Sequence, residues 1–68
     1  MKYIISPTKR AAIDYSPESK WVHSIYQLEG LRGIDLIVLG GGKPVPTKIL
    51  DYLVDRESAQ RFNITFVP

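Results

Sequence analysis

A run of three glycines followed by a lysine, Gly40-Gly41-Gly42-Lys43, is the stretch best suited to bind a ligand. Glycine has no Cβ atom, so the backbone there can turn sharply and bring its amides close to a bound group. Backbone amides beside a lysine ammonium attract an anion such as phosphate. The alternative is a flexible turn with a solvated lysine. Two stricter nucleotide motifs are absent, because Val45 stands where G-x-G-x-x-G needs its third glycine and Pro44 where the phosphate loop needs Ser or Thr.

A basic pair, Lys9 and Arg10, follows the first predicted strand, which ends at Ser6. In a parallel sheet the loops after neighbouring strands meet at one edge, so this pair is expected beside the glycines, where it suits a phosphate. A solvated, charged loop explains the pair equally well. The predicted ligand-binding set is Ser6, Lys9, Arg10, Gly40, Gly41, Gly42 and Lys43.

The elements that must position these residues follow from the hydrophobic pattern. Three strands are predicted, over residues 2–6, 34–39 and 62–67, and the unbroken apolar run of the second indicates burial on both faces. Residues 7–16 show no period and are predicted to form a loop. A first helix is predicted to begin at Ser16 and Pro17 and to end at Gly30. A second helix begins at Pro46 and frays near residues 58–60. The apolar positions of the two helices are Trp21, Val22, Ile25 and Leu28, and Ile49, Leu50, Leu53 and Val54.

The predicted fold class is α/β, a three-stranded parallel sheet in β-α-β-α-β order that forms a single domain over residues 1–68. Two strand orders remain open. A central second strand, which its continuous hydrophobicity favours, places both helices on one face and leaves the other face partly bare. A central first strand places the helices on opposite faces. Leu36, Ile37, Val38 and Leu39 are predicted to be the most buried residues, and a bare face favours self-association.

Composition narrows the class of protein. The chain has 68 residues, no cysteine and a net charge of +2. The lack of cysteine excludes thiolate catalysis and cysteine metal sites, and it is compatible with a reducing cytoplasm. His23, the only histidine, lacks partners for a metal site. With no signal-peptide pattern and no long apolar run, we expect a cytoplasmic protein that does not bind a membrane. The near balance of charge makes a nucleic-acid partner an unfavoured hypothesis.

The order of elements, together with Leu36-Ile37-Val38-Leu39-Gly40-Gly41-Gly42 and the ending Phe66-Val67-Pro68, resembles the SLOG group. Members of that Rossmann-like superfamily bind nucleotides, nucleotide-derived signals or, in one branch, single-stranded DNA. They carry two glycines after the second strand, matched here by Gly40-Gly41 or Gly41-Gly42. The resemblance implies a minimal Rossmann-like core with nucleotide binding at the glycine turn.

These observations indicate two functional hypotheses. The first is a non-enzymatic binding module for a nucleotide or another phosphate-bearing ligand at the carboxyl edge of the sheet, with no cofactor. The second is a small viral or accessory protein-interaction factor, which docks on a partner protein and modulates it. An enzyme ranks below both, because so short a chain can scarcely enclose a water-excluded pocket of about 300 Å³ or more.

Overall fold

A computed structural model describes all 68 residues as a four-stranded parallel sheet with two α-helices and one short 3-10 helix. The strands lie in the order β2-β1-β3-β4, and every neighbouring pair is parallel. The predicted α/β class and parallel sheet are confirmed, but the sheet has four strands rather than three. The elements are β1 (Lys2–Ile5), α1 (Lys9–Tyr15), β2 (Lys20–Trp21), the 3-10 helix (Ile25–Leu28), β3 (Asp35–Leu39), α2 (Thr47–Ala59) and β4 (Asn63–Val67).

The predicted loop over residues 7–16 is wrong, since most of it forms α1. Thr8 caps this helix, and its side-chain oxygen accepts a hydrogen bond from the Ala11 amide at 3.1 Å. Only Ala12 of the helix is buried, so no hydrophobic period marks it in the sequence. The cap satisfies one of the free amides that begin a helix and thereby favours this short element.

The predicted helix from Ser16 to Gly30 is also wrong. Residues 20–21 form β2, and the Val22 amide donates to the Ile4 carbonyl at 2.8 Å, so this segment extends the sheet beside β1. Ser24 then caps the 3-10 helix through a capping box, and Gly30 has a φ of +78°. The apolar spacing that predicts one helix has a different origin. Val22 directly follows β2 and Leu28 ends the 3-10 helix, and both side chains lie in the core.

The main core lies between the sheet and α2. Leu36 and Val38 of β3 are each 1% exposed and pack in one cluster with Leu53 of α2. Ile37 and Leu39 point to the other face and are only partly buried. Of the four residues predicted to be the most buried, Leu36 and Val38 are buried and Ile37 and Leu39 are not, so the prediction that β3 is buried on both faces is wrong. The buried cluster comprises Tyr3, Ile5, Val22, Leu28, Ile34, Leu36, Val38, Leu53 and Phe62.

The other face of the sheet is covered only in part. Ile4 is fully buried but lies outside the main cluster, because its register pairs it with Ile37 on the face away from α2. Ala12 of α1 is also buried outside that cluster, and α1 packs beside β2. The connection after β1 leads to β2 on one side, and the connection after β3 leads to β4 on the other side. Because such connections are right-handed, α1 and α2 lie on opposite faces of the sheet.

The favoured arrangement had both predicted helices on one face. The first of them does not form, but its residues Val22 and Leu28 pack in the same cluster as Leu53 of α2. The helix on the opposite face is α1, which arises from the predicted loop. β3 does lie between β1 and β4, as favoured, because the added strand β2 pairs with the far side of β1. The second predicted helix is confirmed as α2, although it continues to Ala59 and its Val54 is 72% exposed. Neither α-helix has the length and apolar character that crossing a membrane requires.

Candidate functional site

The carboxyl ends of β1 and β3 enclose a cavity of about 240 Å³. The chain leaves β1 toward one face of the sheet and leaves β3 toward the other, so the two connections diverge and open a crevice between them. Ser6 and Pro7 form the β1 side of this cavity, and Gly40 and Lys43 form the β3 side. Its apolar wall consists of Ile5, Val38, Leu39, Pro44, Val45, Pro46 and Ile49.

The glycine run forms a tight turn at the rim of this cavity. The Lys43 amide donates to the Gly40 carbonyl at 3.2 Å, and Gly41 and Gly42 between them have φ of +62° and +80°. Positive φ at both central positions is the signature of a type I′ turn, which favours glycine. The Gly40 amide donates to the Val67 carbonyl at 2.8 Å. The amides of Gly41 and Gly42 make no hydrogen bond within the protein, so they remain able to bind an anion.

The start of α2 lies at the same edge. Pro46 is its N-cap residue and offers no side-chain hydrogen bond. The amides of Ile49 and Leu50 both donate to the Pro46 carbonyl, whereas those of Thr47 and Lys48 have no partner within the protein. Unpaired amides and the positive end of the helix dipole make the start of this 13-residue helix attractive to negative charge.

A second, more open cavity of about 420 Å³ continues the groove on the other side of Pro7 and Pro46. Both cavities share Ile5, Ser6, Pro7, Pro46 and Ile49. The second adds residues that the predicted ligand-binding set does not contain: Trp21, Val22, His23, Ser24, Ile25 and Lys48. The rings of Trp21 and His23 meet edge to face, with centroids 6.0 Å apart.

Sequence reasoning did not place this group in the predicted site. Trp21 and His23 were placed on a helix that does not form, so their position at the sheet edge had no local signal. The sequence does contain a signal for Lys48, because this lysine lies two residues after Pro46, where the second helix is predicted to begin. A cation at that position adds positive charge where the helix dipole is already positive, which costs stability unless an anion is bound.

The predicted site residues are brought together in part. Ser6, Gly40 and Lys43 line the first cavity, and Gly41 packs against Pro7, since a Cβ atom there would lie 3.5 Å from the Pro7 ring. Four of the seven predicted residues line neither cavity: Gly41, Gly42, Lys9 and Arg10. Lys9 and Arg10 belong to α1 rather than to a loop, and the Arg10 Nε lies 3.5 Å from the carboxylate of Asp14 one turn later.

The first cavity has few polar side chains. Ser6 and Lys43 supply its polar side chains, and the Ser6 hydroxyl donates to the Thr8 carbonyl. No carboxylate and no imidazole lines it. Nowhere in the structure do three His, Cys, Asp or Glu side chains gather in a metal-binding arrangement. The cavity therefore pairs a cationic and amide-rich rim with an apolar wall, an arrangement suited to a ligand with an anionic end and a flat or apolar end.

Comparison with known proteins assigns no family, because no family model, no curated protein and no solved structure matches the chain.

Proposed function

We propose that this protein is a non-enzymatic binding module that holds a nucleotide or another phosphate-bearing ligand at the carboxyl edge of its sheet. The observation that carries the proposal is the cavity of about 240 Å³ between β1 and β3, with Ser6 and Lys43 at its polar rim. Open parallel sheets bind ligands where neighbouring connections diverge to opposite faces, and the cavity occupies that place.

The phosphate group is assigned to the glycine turn. The amides of Gly41 and Gly42 have no internal partner, and Lys43 follows them directly. Donors held by a type I′ turn need little rearrangement to accept an anion, and Lys43 adds a charge-assisted hydrogen bond. The unpaired amides of Thr47 and Lys48 offer a second anchor for a longer phosphate chain.

The apolar part of the ligand is assigned to the wall opposite the turn. Val45, Pro46 and Ile49 present carbon atoms there, next to the ends of β1 and β3. Such a surface buries the flat face of a base or another apolar group, while the polar rim fixes the orientation of the ligand. The resemblance to the SLOG group supports the same assignment, with the chain as a minimal Rossmann-like core. A binding role rather than catalysis is favoured because no carboxylate or imidazole lines the cavity.

The test is a titration of ¹⁵N-labelled protein with nucleoside mono-, di- and triphosphates and with inorganic phosphate. We expect amide shifts in residues 40–48 and at Ser6, and shifts at Lys9 and Arg10 if the start of α1 also contacts the ligand. The substitution Lys43→Ala is expected to weaken binding by about 10- to 100-fold, since a charge-assisted hydrogen bond is worth about 1.5–3 kcal/mol.

Lys2→Ala is the matched control for this substitution. It removes the same charge at the amino end of β1, the opposite edge of the sheet, and is expected to leave binding unchanged. Equal loss in both variants would mean that only net charge attracts the ligand. Absence of shifts in residues 40–48 with every phosphate compound would overturn the proposal.

A protein-interaction role is the second candidate, and one observation favours it. On the face of the sheet away from α2, Ile37 and Leu39 are only partly buried and Thr65 is exposed. An apolar sheet surface left uncovered by a helix is a common docking surface. Capture of one defined protein by the wild type, with loss of capture in Thr65→Arg and unchanged folding, would favour this role.

A further inference from the structure

We propose that the outer edge of β4 is a dimer interface, in which two copies of this chain pair β4 with β4 in antiparallel fashion about Thr65. The proposal is independent of ligand binding, because none of Asn63–Val67 lines either cavity. The partner at this edge is a second copy of the chain, because the backbone groups and side chains of β4 are complementary to those of another β4.

β4 is the unprotected edge of the sheet. It is five residues long, and the segment Asn63–Val67 contains neither a charged residue nor a proline. The opposite edge strand, β2, has only two residues. Natural sheets guard their edges with short strands, charges, prolines or covering elements, because an open edge pairs with other chains. β2 has such protection and β4 does not.

The hydrogen bonds of β4 define which of its groups are free. The Asn63 amide donates to the Ile34 carbonyl at 2.9 Å, and the Val67 carbonyl accepts from the Gly40 amide at 2.8 Å. In a parallel ladder alternate residues face the neighbouring strand, so Asn63, Thr65 and Val67 face β3. The amide and carbonyl groups of Ile64 and Phe66 therefore face outward, where no protein group binds them.

This pattern selects one register for a symmetric pair. An antiparallel arrangement centred on Thr65 places Ile64 opposite Phe66 of the second copy, and Phe66 opposite Ile64 of that copy. Each such pair exchanges two backbone hydrogen bonds, so all the outward groups are satisfied at once. Moving the centre to Ile64 or to Phe66 leaves only one of these pairs.

The side chains agree with this register. Ile64 and Phe66 lie on the face that α2 covers, since they pair with Leu36 and Val38 of β3. Phe66 is nevertheless 54% exposed. In the dimer each Phe66 packs on Ile64 of the other copy, and an aromatic side chain beside a β-branched one is a favourable cross-strand pair.

Val54 of α2 adds an exposed apolar side chain on the same face of the molecule. Leu53 points into the core, and in a right-handed helix that runs against the strands the next residue, Val54, turns toward the β4 side. Val54 is 72% exposed in the single chain.

The area indicates a reversible dimer. Phe66 and Val54 together expose on the order of 200 Å² per copy, and with the strand backbone the total stays below the roughly 1,200 Å² of a standard interface. Interfaces of that size belong to weak or transient complexes, so the dimer is expected to dissociate on dilution. The ligand-free protein should therefore be monomeric when dilute and dimeric at NMR concentrations.

The register is tested with single cysteines, because the chain has none of its own. In the proposed pair Thr65 lies opposite Thr65 of the second copy at a non-hydrogen-bonded position, close enough for a disulfide. Thr65→Cys is expected to form a covalent dimer under oxidised glutathione at micromolar protein. Asn63→Cys is the control, since its two copies would lie about 13 Å apart along the paired strands and cannot be bridged.

The association itself is tested by sedimentation equilibrium. Phe66→Lys is expected to weaken the dimer at least about tenfold, because it places a charge on Ile64 of the second copy. Ile13→Lys, a change at a similarly exposed apolar residue of α1, should leave it unchanged, and circular dichroism should show both variants folded. A wild type that stays monomeric at about 1 mM, or equal cross-linking of Thr65→Cys and Asn63→Cys, would overturn the proposal.

Discussion

Replacing Gly42 with alanine isolates the backbone strain of the glycine turn. Gly42 has a φ of +80°, and a Cβ atom at this position would meet no other atom within 4 Å. The cost of Gly42→Ala therefore arises from the left-handed backbone alone and not from crowding. For an L-residue that cost is about 1–2 kcal/mol.

That cost is large for a chain of this size. At about 0.05–0.15 kcal/mol per residue, a 68-residue domain has a free energy of unfolding of about 3–10 kcal/mol. A loss of 1 kcal/mol lowers the Tm of so small a domain by about 4–8 °C. We expect Gly42→Ala to lower the Tm by about 4–16 °C and the urea midpoint in proportion, without a change in m-value. Circular dichroism and Trp21 fluorescence should report one coincident transition.

The mirror-image residue provides the decisive comparison. A synthetic chain with D-alanine in place of Gly42 adopts a φ of +80° without strain, and it restricts the unfolded chain more than glycine does. It should match or exceed the wild type in stability. If L-alanine and D-alanine destabilise the protein equally, the turn does not have the conformation described, and the amides assigned to phosphate binding are not held as proposed.

Four further changes test the core and the cavity rim, the first three by urea denaturation and the last by NMR. Leu53→Ala should cost about 2–5 kcal/mol because the side chain is 1% exposed in the main cluster, and a cost below about 1 kcal/mol would contradict that packing. Ile37→Ala should lower the free energy of unfolding clearly less than Leu53→Ala, since the Ile37 side chain is only partly buried on the face away from α2. Equal losses in the two variants would contradict the unequal burial of the two faces of β3. Gln60→Leu should cost about 1–3 kcal/mol. The Gln60 Nε2 donates to the carbonyls of Leu28 at 3.0 Å and Leu31 at 2.6 Å, and the Leu31 carbonyl would lose its partner, whereas the Leu28 carbonyl keeps the Leu31 amide. A neutral effect would show that water replaces the lost hydrogen bond. Gly40→Ala should destabilise the turn by crowding, because its Cβ would lie 3.0 Å from the Lys43 carbonyl oxygen, and unchanged amide shifts at Lys43 would contradict this contact.

Three long elements were predictable from the sequence because their signals are local. β3 is an unbroken apolar run before glycines, β4 has an alternating pattern, and α2 has an apolar stripe after a proline. The turn at residues 40–43 was equally readable, since positive φ at two successive positions requires residues such as glycine. These elements imply a parallel sheet, because the strands must be joined by crossovers.

The short elements were decided only by the tertiary structure. β2 has two residues and exists because it pairs with β1, whereas the same residues fit a helical period in isolation. α1 has seven residues and one buried side chain, so packing and the Thr8 cap stabilise it rather than a hydrophobic pattern. The distribution of the helices between the two faces depends on the position of β2, which no local signal reveals.

The cavity depends on the same tertiary choice. Ser6 and Lys43 were predictable as neighbours because each follows a parallel strand. Trp21 and His23 reach that edge only because β2 lies beside β1, and the partial exposure of Ile37 depends on α1 covering only part of its face. Local patterns determined the long segments β3, β4 and α2. Contacts between residues distant in the chain determined where those segments lie and whether β2 and α1 form, since elements this short have too little intrinsic stability without those contacts.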